Sequence, residues 1–349
     1  MKQIIISLCA IIASLFSALC PTEDCGFLQS GDFEYYINED GTATVSKWSG
    51  ELDVLEIPGE IDARPVTAIG ESAFSDCRSL NSVKIPESVT TIGSGAFYFC
   101  TNLKSIDIPS GVSEIGSHAF SGCDSLKSIS FPDTVTAIGN GAFLGCVNLE
   151  AIVVSPENEI YSSIGGVLFN KNEKSLVWYP DHITASKYRV PDGILTIKDA
   201  AFSYCYSLEK IELPETVTEI EHHAFNNCDS LKSIELPDSV TKIGELAFFS
   251  CNSLKSVKLP AGLTAIDEWM FYQCDSLTSI EIPAGVTVIE QLAFYSCDNL
   301  TSIRIPAIVT SIGDRAFSDC RKLTLIVEKG SCAETYAEAN NIPYTYVNE

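Results

Sequence analysis

The chain reads as a repeat solenoid: one elongated stack of short coils, mainly β with few helices, with a parallel β-sheet along one face. Three observations lead there. The dipeptide Ala-Phe recurs every 23 residues at Phe74, Phe97, Phe120 and Phe143, then at Phe202, Phe225, Phe248, Phe294 and Phe317, with Met270-Phe271 supplying the missing beat. Around each of these phenylalanines other positions keep station, with Ile five residues before, Cys three after and Leu six after. Ile or Val then falls at nine residues, and Pro at twelve in most units. Self-similarity at a fixed period of this length marks a repeat architecture, in which each coil packs only on its neighbours.

Each unit translates into one coil. In Leu80-Asn81-Ser82-Val83-Lys84-Ile85-Pro86, alternation puts Val83 and Ile85 inward and Ser82 and Lys84 outward, the signature of a short strand. Pro86 has no N–H to give to a ladder and ends that strand. Val89 to Ile92 makes a second extended piece, with Gly93 relaxing the turn, and Ala96 to Cys100 is too short for a full helix and reads as a tight helical turn. Each buried apolar side chain contributes about 1.5–3 kcal/mol, offset by the entropy of ordering the coil. A coil is therefore stable only inside a stack.

Two stretches break the rhythm. From Phe143 to Phe202 the spacing is 59 residues. There Val167-Leu168-Phe169, a polar turn over 170–174, and Leu176-Val177-Trp178-Tyr179 read as a hairpin inserted in one or two atypical coils. At the other end, Phe33 to Ile37, the turn Asn38-Glu39-Asp40-Gly41 and Thr42 to Val45 read as a capping hairpin, which an open solenoid end requires. The expected organisation is a signal peptide at 1–20, a capping hairpin and first coil at 21–57 and repeats at 58–150. An irregular insertion follows at 151–197, then repeats at 198–328 and a C-terminal cap at 329–349. Ala333 to Asn340 reads as helical in that cap, with a closing strand over Ile342 to Val347.

Lys2 followed by the apolar run Ile4 to Leu19 reads as an export signal, so the chain is expected to be secreted or at the cell surface. The run is short for a membrane span. Simple secretion and a lipid anchor on Cys20 both remain open at this stage. Charge is lopsided, with 22 Lys and Arg against 46 Asp and Glu, a formal net charge of −24. A surface that acidic repels nucleic acid and anionic membranes. It serves solubility, or attracts basic partners.

The ten cysteines of the repeat slot, Cys77 to Cys320, form an internal column spaced at about 5 Å by strand packing. In-register side chains point the same way, so they read as buried free thiols acting as small hydrophobes rather than as disulfides. Cys25 and Cys332 fall in opposite caps, too far apart to pair. The four histidines, His118, His182, His222 and His223, lie in variable turn segments or the insertion, and no zinc-protease helix, phosphate-cradling loop or nucleophile elbow is present. No cofactor, metal or catalytic group is assigned, and the chain is read as non-enzymatic.

The pattern Ile-Gly-x-x-Ala-Phe-x-x-Cys-x-x-Leu-x-x-Ile-x-Ile-Pro resembles the BspA-like leucine-rich repeats of bacterial surface and secreted proteins, versions of which also occur in some parasitic protists. The likeness runs from about Gly31 to Tyr346, and includes the entry coil at Ile57-Pro58, the insertion Gly166 to Lys171 and the ending Ala333 to Tyr344. It implies a right-handed leucine-rich-repeat coil stack that binds host proteins, other cells or matrix. It implies no catalytic residues.

The strongest candidate binding surface is the outward face of the parallel sheet. Its first row is nearly constant and small: Ser82, Ser105, Ser128, Ser233, Ser256, Ser279 and Ser302, interrupted by Ala151 and Lys210. Its second row varies: Lys84, Asp107, Ser130, Val153, Glu212, Glu235, Lys258, Glu281 and Arg304. A constant row beside a varied charged row fits a recognition strip on a preformed scaffold. It equally fits small residues that relieve crowding beside ordinary solvated ones. The inserted hairpin offers a second candidate, with Trp178 and Tyr179, beside Tyr161 and Phe169, available for stacking on a sugar or protein. Packing in the core of an atypical coil is the competing reading. The expected partner is an extracellular protein or glycan. The alternatives are a structural spacer of a surface layer and, more remotely, a secreted hydrolase.

Overall fold

The computed structural model describes residues 26–347. The apolar leader, Cys9, Cys20 and Cys25 lie outside the described residues, and with them the export signal and the lipid-anchor option. The described chain winds into a β-solenoid of about 13 turns with a single helix. Three ladders of hydrogen bonds hold successive coils together.

The first ladder is the expected sheet face. Strand Ser82–Lys84 pairs in parallel with Val54–Glu56 on one side and Ser105–Asp107 on the other, so that Ser82 faces Ser105 and Lys84 faces Asp107. Further along, Lys187–Arg189, Lys210–Glu212, Ser233–Glu235 and Ser256–Lys258 repeat the arrangement. The second ladder joins the two-residue strands before each glycine slot, Thr91–Ile92 to Glu114–Ile115 to Ala137–Ile138. It reaches back to the cap, where strand Ala43–Trp48 lies parallel to Arg64–Ile69. The cap is an antiparallel meander of Leu28–Ser30, Phe33–Ile37 and Ala43–Trp48.

The third ladder runs through the turns around each Phe. Ala96 to Cys100 closes by bonds such as Tyr98 N–H to Gly95 O and Cys100 N–H to Phe97 O, with left-handed residues at Gly95 (φ 59°) and Phe99 (φ 55°). Those left-handed steps turn alternate N–H groups toward the next coil. Gly95, Phe97 and Phe99 donate to the carbonyls of Ser117, Ala119 and Ser121 at 2.8 Å each. Most residues at these two slots carry a Cβ, which makes the left-handed conformation costly. The two to three ladder bonds per coil offset that cost.

Behind this ladder the phenylalanines form a stacked column. Phe202, Phe225, Phe248, Phe271, Phe294 and Phe317 follow one another with ring centroids 5.2–5.4 Å apart. Trp48 closes the column on Phe74, and Tyr336 closes it edge-on against Phe317. The cysteine slot lies beside it and is more specific than a small hydrophobe requires. Each thiol from Cys100 onward donates to the carbonyl of a column aromatic 26 residues earlier: Cys100 Sγ to Phe74 O at 3.0 Å, Cys123 to Phe97 at 3.2 Å, Cys228 to Phe202 at 3.0 Å and Cys297 to Phe271 at 3.1 Å. Burial pushes Cys100 up to about 12 and the more exposed Cys77 to about 11. Those thiols therefore stay protonated. The thiolate is the reactive form. A thiol-reactive disulfide reagent at pH 8 is expected to modify the half-exposed Cys332 quickly in the native protein and to leave Cys123 to Cys297 unmodified until denaturant is added. Rapid native labelling of that central column, read by peptide mass spectrometry, would contradict the packing.

Gly93 owes its place to something other than a relaxed turn. Its φ is not left-handed, and a Cβ there would lie 2.7 Å from the Gly70 carbonyl carbon and 2.8 Å from Glu71 N. Close approach of consecutive coils excludes the side chain. Lys198, Glu221, Asp267 and Glu290 occupy the equivalent position in other coils, while a Cβ at Gly244 or Gly313 would lie 2.6 Å from His222 N or 2.4 Å from Gln291 N, so the constraint is set coil by coil.

The interruption contains three antiparallel strands, Tyr161–Ile164, Val167–Asn170 and Ser175–Trp178, where the sequence indicates only the last two. Ser175–Trp178 then runs parallel to Thr196–Ile197 and restarts the second ladder. Just after it, Asp181 is 6% exposed and neither carboxylate oxygen has a hydrogen-bond partner. Burial pushes its pKa well up. At the far end, helix Cys332–Ala339 is capped by Ser331, whose Oγ accepts from Glu334 N at 3.2 Å, and buries Ala333 and Ala337. Strand Tyr344–Tyr346 closes the sheet by pairing with Thr324–Val327.

Candidate functional site

The structure places Lys84, Asp107, Ser130, Glu212, Glu235, Lys258 and Arg304 on the solvent side of the first ladder, and Glu281 in a coil that joins it only through the Ser279–Ser302 bridge; all eight are exposed, each beside a buried Ile or Val. Alternation along each strand produces this, and register carries the row from coil to coil: Glu212 faces Glu235, which faces Lys258. Two members of the row went unassigned. Glu56 faces Lys84 and Arg189 faces Glu212. Both precede the same hydrophobic-Pro pair, Ile57-Pro58 and Val190-Pro191, and that shared pattern is the signal that finds them.

Electrostatically the strip is patchy. Lys84 Nζ meets Glu56 Oε1 at 2.5 Å, and this hydrogen bond raises the lysine pKa. Lys210 holds Glu212 at 2.7 Å within its own strand and keeps that carboxyl below the usual range. Arg304 reaches Glu328 at 3.6 Å. Pairs this exposed contribute little to stability and remain open to exchange for a partner's groups. The Ser row leaves the space above the strands low, so the second row stands out as the relief of the surface.

The hairpin aromatics do not form a surface. Trp178 is 2% and Tyr179 1% exposed, and Tyr161 and Phe169 are also buried. The stretch between Phe143 and Phe202 lacks an Ala-Phe unit, and the insertion fills that gap in the column. Trp178 packs edge-on to Phe143 at 6.1 Å and Tyr179 stacks on Phe202 at 5.2 Å. Trp178 and Tyr179 are therefore removed from the set of ligand contacts.

Among the described residues no group of three or more His, Cys, Asp or Glu is placed to hold a metal ion, and no helix is long and apolar enough to cross a membrane.

A family model described as BspA type leucine-rich repeat region matches residues 54–185 and 195–324, in six copies. No curated protein matches the chain. Among solved structures, a leucine-rich repeat protein from Eubacterium ventriosum is 25% identical with a TM-score of 0.68, the match covering 84% of this chain and 94% of that one. The pneumococcal vaccine antigen PcpA is 18% identical with a TM-score of 0.58, over 94% of this chain and 100% of that one, a likeness of fold alone.

Proposed function

The chain belongs to the BspA-type leucine-rich repeat family, and from that premise we propose that it is an exported, non-enzymatic recognition protein. On this reading it engages a protein or glycan on a host or neighbouring cell through the outward strip of its first ladder. One observation carries the reading: eight chemically varied side chains stand exposed, rung after rung, on a backbone that otherwise repeats itself. A scaffold with no ligand has no need to vary one row while holding its neighbour to serine. The leader at 4–19 supports export, and the family's repeat scaffolds support binding rather than catalysis.

The spacer reading draws on the ion pairs along the strip, since Lys84–Glu56, Lys210–Glu212 and Arg304–Glu328 satisfy part of its charge internally. The two part company on mutation. Combining Glu212→Lys, Glu235→Lys and Glu281→Lys is expected to reduce binding of the labelled chain to intact cells or immobilised matrix at least about tenfold, a loss of about 1.4 kcal/mol or more. The melting profile should change little, because exposed substitutions act weakly on stability. Undiminished binding by a folded triple variant would rule out the strip.

A further inference from the structure

The turns around the column phenylalanines share a backbone but differ in what they carry. The residue one after each Phe donates its N–H to the carbonyl two before it, as in Tyr272 N–H to Trp269 O at 3.1 Å. Several coils fill these two slots with small or polar residues: His118 and Ser121, Ala200 and Ser203, His223 and Asn226, Arg315 and Ser318. Three consecutive coils depart from that. They carry Leu246 and Phe249, Trp269 and Tyr272, Leu292 and Tyr295, all half-buried. Leu246, Trp269 and Leu292 are left-handed, with φ of 55°, 61° and 56°. Bulky side chains enter that conformation at a cost, so the backbone does not select them.

The rings form one plate. Phe249 and Tyr272 stack with centroids 4.8 Å apart, Tyr272 and Tyr295 at 4.9 Å, and Trp269 stacks on Tyr272 at 5.0 Å. Tyr272 is thus covered on both faces by its neighbours. A cation over a ring needs an open face, as a stacked sugar does, and the middle of this plate offers edges instead. From Phe249 to Tyr295 the plate is about 10 Å long, the rise of about two turns of an α-helix. Six side chains fall well short of the roughly 20–30 residues a side of a standard protein interface, which favours a peptide.

The margin toward the second ladder is acidic. Glu245 and Glu290 are exposed, and Asp267 lies half-buried in the coil between them. Burial, and then the charges of Glu245 and Glu290, raise the Asp267 pKa, while His222 and Lys242 lower it. Lys242 is itself held by Glu219 at 2.6 Å, so negative charge is left in excess. An apolar plate with an acidic margin complements a helix that is apolar on one face and basic beside it.

We propose that this plate docks a soluble cationic amphipathic peptide. Two helical turns of its apolar face lie along Phe249, Tyr272 and Tyr295, and its Lys or Arg side chains reach Glu245, Asp267 and Glu290. The plate belongs to the third ladder, and attachment to cells through the strip does not use it.

Fluorescence anisotropy at physiological salt tests this, with a labelled peptide of Leu and Lys whose leucines recur at three- and four-residue spacing. Peptides with Glu in place of Lys, or Ser in place of Leu, are the comparisons, and both are expected to bind at least about tenfold more weakly. Combining Phe249→Ser, Tyr272→Ser and Tyr295→Ser installs the residue that Ser121, Ser203 and Ser318 already place in that slot. This variant should fold and lose at least about tenfold in affinity. Glu245→Lys with Glu290→Lys leaves the plate intact and should weaken binding similarly. The strip triple variant gains more positive charge than that pair, yet should keep most of the affinity, since salt screens exposed charges beyond about 8 Å. Unchanged binding by the folded serine variant would overturn the proposal, as would equal binding of either comparison peptide. So would a dimer of the parent, seen by sedimentation and abolished in the serine variant, because the occupant would then be a second copy.

Discussion

Phe225→Ala should destabilise the protein by about 3–5 kcal/mol, the cost of emptying a fully packed aromatic site. Phe225 is fully buried and its ring lies 5.3 Å from Phe202 and 5.2 Å from Phe248. Removing it therefore weakens two coil interfaces at once, and a solenoid's stability is close to a sum of such nearest-neighbour terms. The same coil holds the carbonyl that receives the Cys251 thiol at 3.1 Å, so a shifted backbone would strand a buried donor as well. Urea unfolding followed by circular dichroism reads the effect as a lower midpoint. Lys255→Ala, an exposed change outside the column, should stay within about 0.5 kcal/mol. Equal midpoints for Phe225→Ala and its parent would mean that the column is not the packed spine described.

Asp181 produces the opposite effect. Its carboxyl is buried with both oxygens unpartnered, among Cys146, Cys205 and Tyr206, whose own electrostatics register it. Burial disfavours the charged form and raises its pKa in the folded state. In the unfolded chain an Asp ionises near pH 3.9. Between those two values the folded state binds the extra proton, so stability is fully present below about pH 3.9 and falls as pH rises toward the folded pKa. Asp181→Asn removes the titration and should stabilise the protein at pH 7 but not at pH 3. Asp181→Leu also removes the unpartnered polar group, worth about 1–3 kcal/mol, and should stabilise at both. Melting temperatures of the three proteins across pH 3–8 decide it. A parent whose stability rises from pH 4 to pH 7 relative to the Asn variant would contradict the burial of an uncharged carboxyl.

The repeat itself was legible because every coil solves the same packing problem, so Phe225, Cys228 and Leu231 announce their roles by position alone. The strip was legible for the related reason that alternation within a strand is local. Glu56 and Arg189 escaped because they sit in coils whose Ala-Phe beat is missing, although the hydrophobic-Pro pair marks them. Two features lay beyond sequence reading. The thiol-to-carbonyl bonds join residues 26 apart, and their geometry depends on the exact rise of the coil. The fate of Trp178 and Tyr179 depends on a gap in the aromatic column that exists only once the coils are stacked. The sequence leaves a stacking surface and core packing as competing readings, and the vacancy between Phe143 and Phe202 draws those rings inward.

Face-specific recognition is the central claim, and a charge-matched comparison tests it most directly. One protein carries Glu212→Lys, Glu235→Lys and Glu281→Lys on the strip. The other carries Glu245→Lys, Glu290→Lys and Asp314→Lys, three exposed carboxylates in the turns that follow the second ladder. Both gain the same charge, so nonspecific attraction or repulsion changes equally. Binding to intact cells, measured side by side at physiological salt, should collapse for the strip variant and persist for the other. Equal loss or equal retention in the two would contradict a recognition strip on this solenoid.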